Sequence, residues 1–247
     1  MTIDLPQYSV RESKRAKHLR IEVSPRKGIQ VIVPYGYDQK NIPAILHKKQ
    51  AWLEKAIAKI NYQQEYLAAQ NPDVLPKSIA LASINQTWQV EYQASRSRHV
   101  MAAELSEPDA SDSERLLLVS GAIENIPTCK SVLRSWLTQT AWEHLVPWLR
   151  EVSIEFGMGY SKTAVRGQKS IWASCSSKKN ISLNYKLLFL RSPLVRYVFI
   201  HELCHTVHMN HSKRFWALVS KMEANYKQLD AELNDCWQVV PTWVDAE

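Results

Sequence analysis

The stretch from Tyr197 to His205 constrains this chain more than any other, because it places two histidines four residues apart on a segment with the apolar spacing of a helix. It ends in the pattern His201-Glu-Leu-Cys-His205. Four residues along an α-helix return the side-chain direction to within about 40° of the start, so both imidazoles project from one face and can share one metal ion. We therefore expect a fold built around a helix that carries a metal site.

Glu202 stands beside the first histidine of this pattern. A carboxylate at that position can reach a metal-bound water without being a ligand, and it can accept the water's proton as a general base. Imidazole nitrogens suit zinc, which lowers the pKa of a bound water towards about 7. The pattern predicts one Zn²⁺ ion held by His201 and His205, with Glu202 as the catalytic residue of a hydrolase.

A catalytic zinc needs a third protein ligand and one open position. His208 and His211 are candidates, together with more distant acidic residues. His208 shares the azimuth of His201, but a continuous helix rising about 1.5 Å per residue carries it too far along the axis. His211 needs a chain reversal, which Asn210 can supply because asparagine tolerates the left-handed conformation. The spacing favours His211 and leaves His208 open.

Other interpretations of this region compete with a metal centre. The histidines could form a solvated cluster on a basic helix. Cys204 has the chemistry of a ligand, but it points roughly 100° away from His205 around the helix, so we expect a buried thiol. The sequence does not discriminate among four possible donors to a developing oxyanion, which are His208, Tyr185, Arg196 and Lys213.

The composition is that of a folded globular protein. Of the 247 residues, 45% are hydrophobic and 22% are charged, which excludes disordered, collagen-like and low-complexity classes. No run approaches the roughly 18 apolar residues of a membrane span, and we expect no secretory signal at the start. The four cysteines form no CxxC pair, which predicts reduced thiols and a cytoplasmic location.

Hydrophobic periodicity predicts two regions and an α+β fold. Residues 1–126 form a β-rich amino-terminal region, with a hairpin over Leu19–Pro34, a helix over Gln39–Gln63, strands over Ile79–Tyr92 and Leu116–Val119, and an exposed acidic loop over Glu104–Glu114. Residues 127–247 form the region that holds the histidines, with helices over Thr128–Glu155, Pro193–Met209 and Lys213–Tyr226 and strands over Thr163–Arg166, Ile171–Cys175 and Ile181–Asn184. Pro147 predicts a kink or break in the first of these helices.

The net charge of +7 favours anionic partners only weakly. Its distribution is uneven: residues 1–60 hold 12 basic and 5 acidic side chains, whereas residues 61–126 hold 4 and 9. The basic cluster Arg11–Lys17 motivates a second class of function, a zinc-stabilised module that binds nucleic acid or a nucleoprotein. A solvated basic edge strand that prevents aggregation is the competing interpretation of the same residues.

Three blocks of the sequence resemble the YgjP-like metallopeptidase family, whose members are zincins related to the WLM and SprT-like groups. The blocks are Ser13–Val23 with Val31–Pro34 and the helix around Trp52, then Trp172–Asn184, and then His201–His205 followed by Met209–Trp216. Together they extend over most of the chain in family order, although the acidic middle carries no family signal.

The resemblance implies that residues 127–247 form a zincin-like catalytic region and that this region packs with residues 1–126 as one unit. It also implies a zinc-dependent metallopeptidase that cleaves peptide or protein substrates. It implies His201, His205 and His211 as metal ligands and Glu202 as the catalytic glutamate. It also implies that the strand Ile181–Asn184 lines an extended substrate. Since SprT-like relatives act near DNA, the nucleic-acid alternative would combine binding with vestigial or DNA-linked proteolysis.

The chain departs from the family pattern at two positions before that strand. The family usually reads Arg-Trp-Gly-Ser-Cys where this chain has Ile171-Trp-Ala173-Ser-Cys175. Isoleucine removes a charge, and alanine adds a methyl group where backbone can approach closely. We therefore expect substrate binding or local packing to differ from that of relatives.

Overall fold

The computed structural model describes residues 7–24, 28–54, 56–58, 74–105 and 115–244. The chain forms two compact units, Met1–Asn71 and Pro72–Glu247. This division differs from the boundary predicted between residues 126 and 127. The reason is that Leu117 and Val119, which precede that boundary, share one hydrophobic core with Leu133 and Leu137, which follow it.

The first unit contains a three-stranded sheet of β1 (Tyr8–Ser13), β2 (Arg20–Ser24) and β3 (Gly28–Pro34), in the order β1-β3-β2. Strands β2 and β3 pair antiparallel, as the predicted hairpin requires, and β1 pairs with β3 in parallel. Gly28 has a φ of +60° where the hairpin enters β3, a conformation that glycine adopts without steric cost.

The predicted helix of the first unit begins later than expected. A 3₁₀ turn at Gln39–Asn41 precedes α1 (Ile42–Lys48), and residues 50–54 and 56–58 are also helical. The end of the prediction, residues 59–63, lies outside the described residues. The apolar face of α1 packs on β3, and the shared core consists of Ile29, Val31, Val33, Ile42, Leu46 and Leu53.

The second unit begins with a four-stranded sheet of β4 (Ser78–Leu81), β5 (Gln86–Ala94), β6 (Met101–Glu104) and β7 (Leu116–Gly121). Their order is β4-β5-β7-β6. The sequence did not predict β6, because its residues Met-Ala-Ala-Glu have weak strand propensity and only antiparallel pairing with β7 holds them extended. Of the acidic loop predicted over Glu104–Glu114, residues 106–114 lie outside the described residues.

The long helix α2 (Ile126–Glu155) follows, and the Asn125 side chain caps it by accepting a hydrogen bond from the Thr128 N–H. Pro147 does not end this helix, so of the predicted kink or break the break is wrong, and the kink stays a prediction. Proline removes one backbone hydrogen bond. Leu145 and Leu149, two residues before and two residues after Pro147, are fully buried, and the free energy of their burial offsets the loss.

A second three-stranded sheet positions the histidines. It consists of β8 (Lys162–Arg166), β9 (Ala173–Cys175) and β10 (Asn180–Asn184) in the order β8-β10-β9. The helices after it are α3 (Ser192–His205), α4 (Lys213–Met222) and α5 (Tyr226–Leu233). The predicted α+β fold is confirmed, although α3 ends at His205 rather than Met209, and a turn after Met222 separates α4 from α5.

Helix α3 lies within the core of the second unit. Its burial holds the helix, and the histidines that it carries, in a fixed position. Its fully buried members include Val195, Phe199, Ile200 and Leu203. Among the described residues, no helix is both long enough and apolar enough to cross a lipid bilayer.

Candidate metal centre

Three imidazole rings converge at the end of α3. The ring centroids of His201 and His205 are 4.9 Å apart, and that of His211 lies 5.1 Å from the first and 4.7 Å from the second. One ligand nitrogen from each residue lies within 4.8 Å of the others, and Nε2 of His201 is 3.1 Å from Nε2 of His211. Nitrogens bound to one tetrahedral zinc stand about 3.3–3.4 Å apart, so this donor set fits such an ion.

The chain reversal that brings His211 back to the helix differs from the predicted one. Among the described non-glycine residues, only Asn85 and Lys179 have positive φ, so a left-handed Asn210 is wrong. Instead α3 ends at His205, where the backbone bonds change: the Thr206 N–H donates to the carbonyl of Leu203, three residues back, at 2.9 Å. The Thr206 hydroxyl donates to the same carbonyl at 2.7 Å. A helix that stops at this point leaves enough chain for His211 to return.

The start of α4 anchors the other side of this loop. The side chain of Ser212 accepts a hydrogen bond from the Phe215 N–H at 3.4 Å, which caps α4 directly after His211. The Ser212 N–H also donates to the Asn210 carbonyl at 2.8 Å. His211 is therefore held between two helix ends although its own side chain is exposed.

His208 contributes its backbone to the site. Nδ1 of His205 lies 3.1 Å from the carbonyl oxygen of His208. Because a carbonyl can only accept, Nδ1 carries the hydrogen and Nε2 keeps its lone pair. The imidazole of His208 is not part of the group of three. The backbone role of His208 was missed in the sequence, where only its side chain was considered.

Aromatic side chains from α4 fix the planes of the three rings. Phe215 is fully buried, stacks on His205 at 4.4 Å, and meets His201 and His211 edge-on at 5.0 and 4.8 Å. Trp216 stacks on His211 at 5.5 Å. These aromatics follow His211 by four and five residues, and this spacing is the signal that could have indicated their role.

Burial favours the neutral form of two of the imidazoles, those of His201 and His205. Burial and, to a lesser extent, the neighbouring His205 and His211 together lower the pKa of His201 to about 3. Burial also lowers the pKa of His205, against the raising effect of its bond to His208. Neutral imidazole is the form that offers a lone pair to a metal, so the electrostatics favour ligation.

Glu202 lies beside these rings and is only 6% exposed. Burial raises its pKa to about 8, and a hydrogen bond from the Cys175 backbone N–H opposes that rise. Its Oε2 atom is buried and has no hydrogen-bond partner among the described residues. A buried carboxylate oxygen without a partner is costly, which makes Oε2 a site for an atom supplied from outside the chain.

A cleft of about 240 Å³ begins at His201 and Glu202. Residues 170–173, including β9's Ala173, form one side, and α5 with the segment after it forms the other through Asp230, Leu233, Asn234 and Trp237. The two departures from the family pattern, Ile171 and Ala173, therefore both line this cleft. Of the predicted oxyanion donors, none lines it, and Arg196 is paired with Glu155 at 2.6 Å.

The strand available to a substrate is not the predicted one. Strand β10, which contains Ile181–Asn184, pairs with β8 on one edge and β9 on the other, so it has no edge left for a peptide. Strand β9 is at the edge of this sheet, and its Cys175 N–H reaches Glu202. The expectation that β10 pairs with substrate is therefore wrong.

The basic cluster Arg11–Lys17 belongs to the first unit. Strand β1 is an edge strand, and Arg11, Lys14, Arg15 and Lys17 are exposed along it and the turn that follows. Exposed charges of this kind keep an edge strand from pairing with another chain. This placement gives no specific support to nucleic-acid binding, which stays a prediction.

Comparison with known proteins gives one match over most of the chain. The model of the YgjP-like metallopeptidase domain matches residues 17–236. Curated proteins gave no match. Among solved structures, the metallopeptidase zymogen of Pyrococcus abyssi abylysin is similar at 26% identity and a TM-score of 0.32, covering 34% of this chain and 87% of that chain.

Proposed function

Because this chain belongs to the YgjP-like metallopeptidase family, and so is a metal-dependent peptidase with a zincin-like α+β fold, we propose that it uses one zinc ion held by His201, His205 and His211. Glu202 is the general base. The observation that carries this proposal is the convergence of three ligand nitrogens within 4.8 Å beside a buried carboxylate oxygen that has no partner.

The donor set supports zinc as the ion. Three imidazole ligands with one open coordination position are typical of catalytic zinc, whereas magnesium and calcium prefer oxygen ligands. When bound, zinc would activate a water molecule and polarise the scissile carbonyl. The His205–His208 bond and the ring stacking of Phe215 hold the imidazoles ready for it, as outer partners of metal ligands commonly do.

Glu202 moves the proton in this mechanism. Its Oε2 accepts a proton from the attacking water and later returns it to the departing amine. The Cys175 N–H holds the carboxylate in place during both transfers. A pKa raised towards neutrality by burial suits a group that must both take and give a proton near pH 7.

Strand β9 supplies backbone groups for an extended substrate. The Ser176 N–H donates to the Asn180 carbonyl, and the Asn184 N–H donates to the Trp172 carbonyl. In this antiparallel pair, residues of β9 whose backbone groups bond β10 therefore alternate with residues whose backbone groups do not. By that alternation, Ala173 and Cys175 direct their N–H and C=O groups away from β10. A peptide that adds to this edge beside Ala173 would pass over His201 and Glu202, which line the same cleft.

Metal analysis combined with a cleavage assay tests the proposal. We expect one zinc per chain in the purified protein and cleavage of an unfolded protein that a chelator abolishes and zinc restores. A chain that binds zinc at the three histidines and never cleaves would contradict the proposed function.

The location of the protein in the cell stays a prediction. All four cysteines are free, which is compatible with the reducing cytoplasm that we propose.

The alternative, a zinc-stabilised module that binds nucleic acid, predicts a different result. Phosphate contacts make binding fall steeply with salt. Binding of duplex DNA that weakens with salt, and that is lost when Lys14 and Arg15 are replaced by Gln, would support it. Absence of such binding, with metal-dependent proteolysis present, would remove it.

A further inference from the structure

We propose that the cleft beside Glu202 accepts the side chain of a lysine or arginine of the substrate, and that Asp230 determines this specificity. The inference rests on the proposed peptidase function and adds the class of substrate. It is carried by the position of one carboxylate in a cleft whose other walls are mainly apolar.

Asp230 is fixed in position relative to the metal centre. Its Oδ1 accepts a hydrogen bond from the Tyr197 hydroxyl at 2.8 Å. Tyr197 is one turn before His201 on α3, with ring centroids 6.0 Å apart, and is itself only 1% exposed. The carboxylate is thus tied to the same buried helix that presents His201 and Glu202.

The second oxygen of Asp230 is available to a ligand. The described residues give Oδ2 no hydrogen-bond partner, and Asp230 lines the cleft with partial exposure. The neighbouring acid on α5, Glu232, is occupied by Arg191. A carboxylate with one oxygen anchored and the other open is suited to an ammonium or guanidinium group.

The walls of the cleft fit the methylene stem that carries such a group. Ile171, Trp172, Val198, Leu233 and Trp237 supply apolar surface around the carboxylate. Trp172 and Trp237 stack at 4.0 Å with an angle of 16° between their planes, which makes this wall rigid. Lysine and arginine bury their stems on apolar surface while the charged end seeks a polar partner.

The charges in the cleft argue against a preference for an acidic side chain of the substrate. None of the described residues that line it is lysine or arginine, and its acidic members are Glu202 and Asp230. Lys186 lies over the ring of Trp237 at 5.4 Å but does not line the cleft. In a chain with a net charge of +7, a cleft whose lining includes two acids and neither lysine nor arginine favours a cationic occupant.

The amino-terminal ammonium of a peptide is a second possible cation. It needs no long apolar channel, whereas the cleft holds about 240 Å³ between its stacked indoles and its carboxylate. That volume fits a long side chain. We therefore infer an endopeptidase preference for a basic residue at one fixed position rather than recognition of a free chain end.

The test begins with the sites at which the zinc-loaded protein cleaves a denatured protein mixture, identified by mass spectrometry. We expect lysine or arginine to be enriched at one position relative to the scissile bond. Two acetylated peptides that differ only there, one with lysine and one with norleucine, then measure the effect of the charge. The lysine peptide should have a kcat/KM higher by roughly tenfold.

Variants separate specificity from catalysis. Asp230→Asn keeps an acceptor for Tyr197, and it should bring the kcat/KM of the lysine peptide close to that of norleucine while leaving the norleucine peptide unchanged. Ile171→Arg places a cation on the rim and should act in the same direction. Glu151→Gln, an exposed acid that does not line the cleft, should change neither peptide.

The outcomes distinguish this inference from the proposed function. Cleavage without any enrichment of basic residues, an equal effect of Asp230→Asn on both peptides, or cleavage that requires a free amino terminus would overturn the specificity and leave the peptidase intact. Absence of cleavage by the zinc-loaded wild-type protein would overturn both.

Discussion

Nδ1 of His205 lies 3.1 Å from the carbonyl oxygen of His208. His208, a candidate for the third metal ligand in the sequence, therefore supports the ring of His205 through its backbone instead. The bond fixes the tautomer of His205 and turns Nε2 towards His201 and His211. It also explains how α3 can end and still hold its last histidine rigidly, because the carbonyl that receives the bond belongs to the loop that brings His211 back.

This relationship predicts opposite results for two histidine substitutions. His211→Ala removes a proposed ligand and should weaken zinc binding by on the order of 100-fold or more. His208→Ala leaves the backbone carbonyl in place and should keep one zinc per chain. Competition with a chromophoric chelator measures both affinities. Zinc loss in the His208 variant with zinc retained in the His211 variant would contradict the proposed ligand set.

Glu202→Gln should separate binding from turnover. The amide keeps an acceptor for the Cys175 N–H but cannot take a proton from water at neutral pH. Zinc content should stay unchanged while kcat falls by about 10²–10⁴-fold. Glu223→Gln, which changes an acid outside the cleft, serves as the matched control. Normal turnover by the Glu202 variant would show that another group is the base.

The parts of the site that could be predicted from the sequence are those that depend on local geometry. The spacing of His201 and His205 requires only a helix, and the apolar pattern around them indicated one. His211 needed a loop whose route depends on contacts across the chain. The predicted left-handed Asn210 failed for that reason, since Thr206 and Ser212 make the reversal through hydrogen bonds to α3 and α4.

The cleft itself could not be predicted. Trp172 is about 60 residues away in sequence from Asp230 and Trp237, and it meets them only because the segments that carry these residues pack around one core. The order of the small sheet is likewise a tertiary property. Alternating residues around Ile181–Asn184 indicated a strand, but nothing in a single strand shows whether its edges are occupied.

Phe215 should couple metal affinity to stability. Its fully buried ring contacts all three imidazoles, so Phe215→Ala should lower the free energy of unfolding by about 3–5 kcal/mol and weaken zinc binding as well. Phe215→Leu refills part of the cavity and should be milder in both respects. Urea titrations with and without chelator measure the two effects. Trp142→Ala, at a side chain that is 50% exposed, should cost less than about 1 kcal/mol.

The thiol of Cys175 reports on the carboxylate beside it. Burial and, to a lesser extent, the negative charge of Glu202 together raise the pKa of Cys175 to about 11. The thiolate is the reactive form, so the rate of alkylation by iodoacetamide should increase with pH through a midpoint near 11. At pH 8 the rate should be roughly 100-fold lower than that of a free thiol.

In Glu202→Gln the midpoint of alkylation should move to lower pH, because the neighbouring charge is gone. Cys175→Ser identifies the signal, since the other three cysteines are buried. An unchanged midpoint in the Glu202 variant would show that the carboxylate is not charged beside this thiol, and would remove the electrostatic link between β9 and α3.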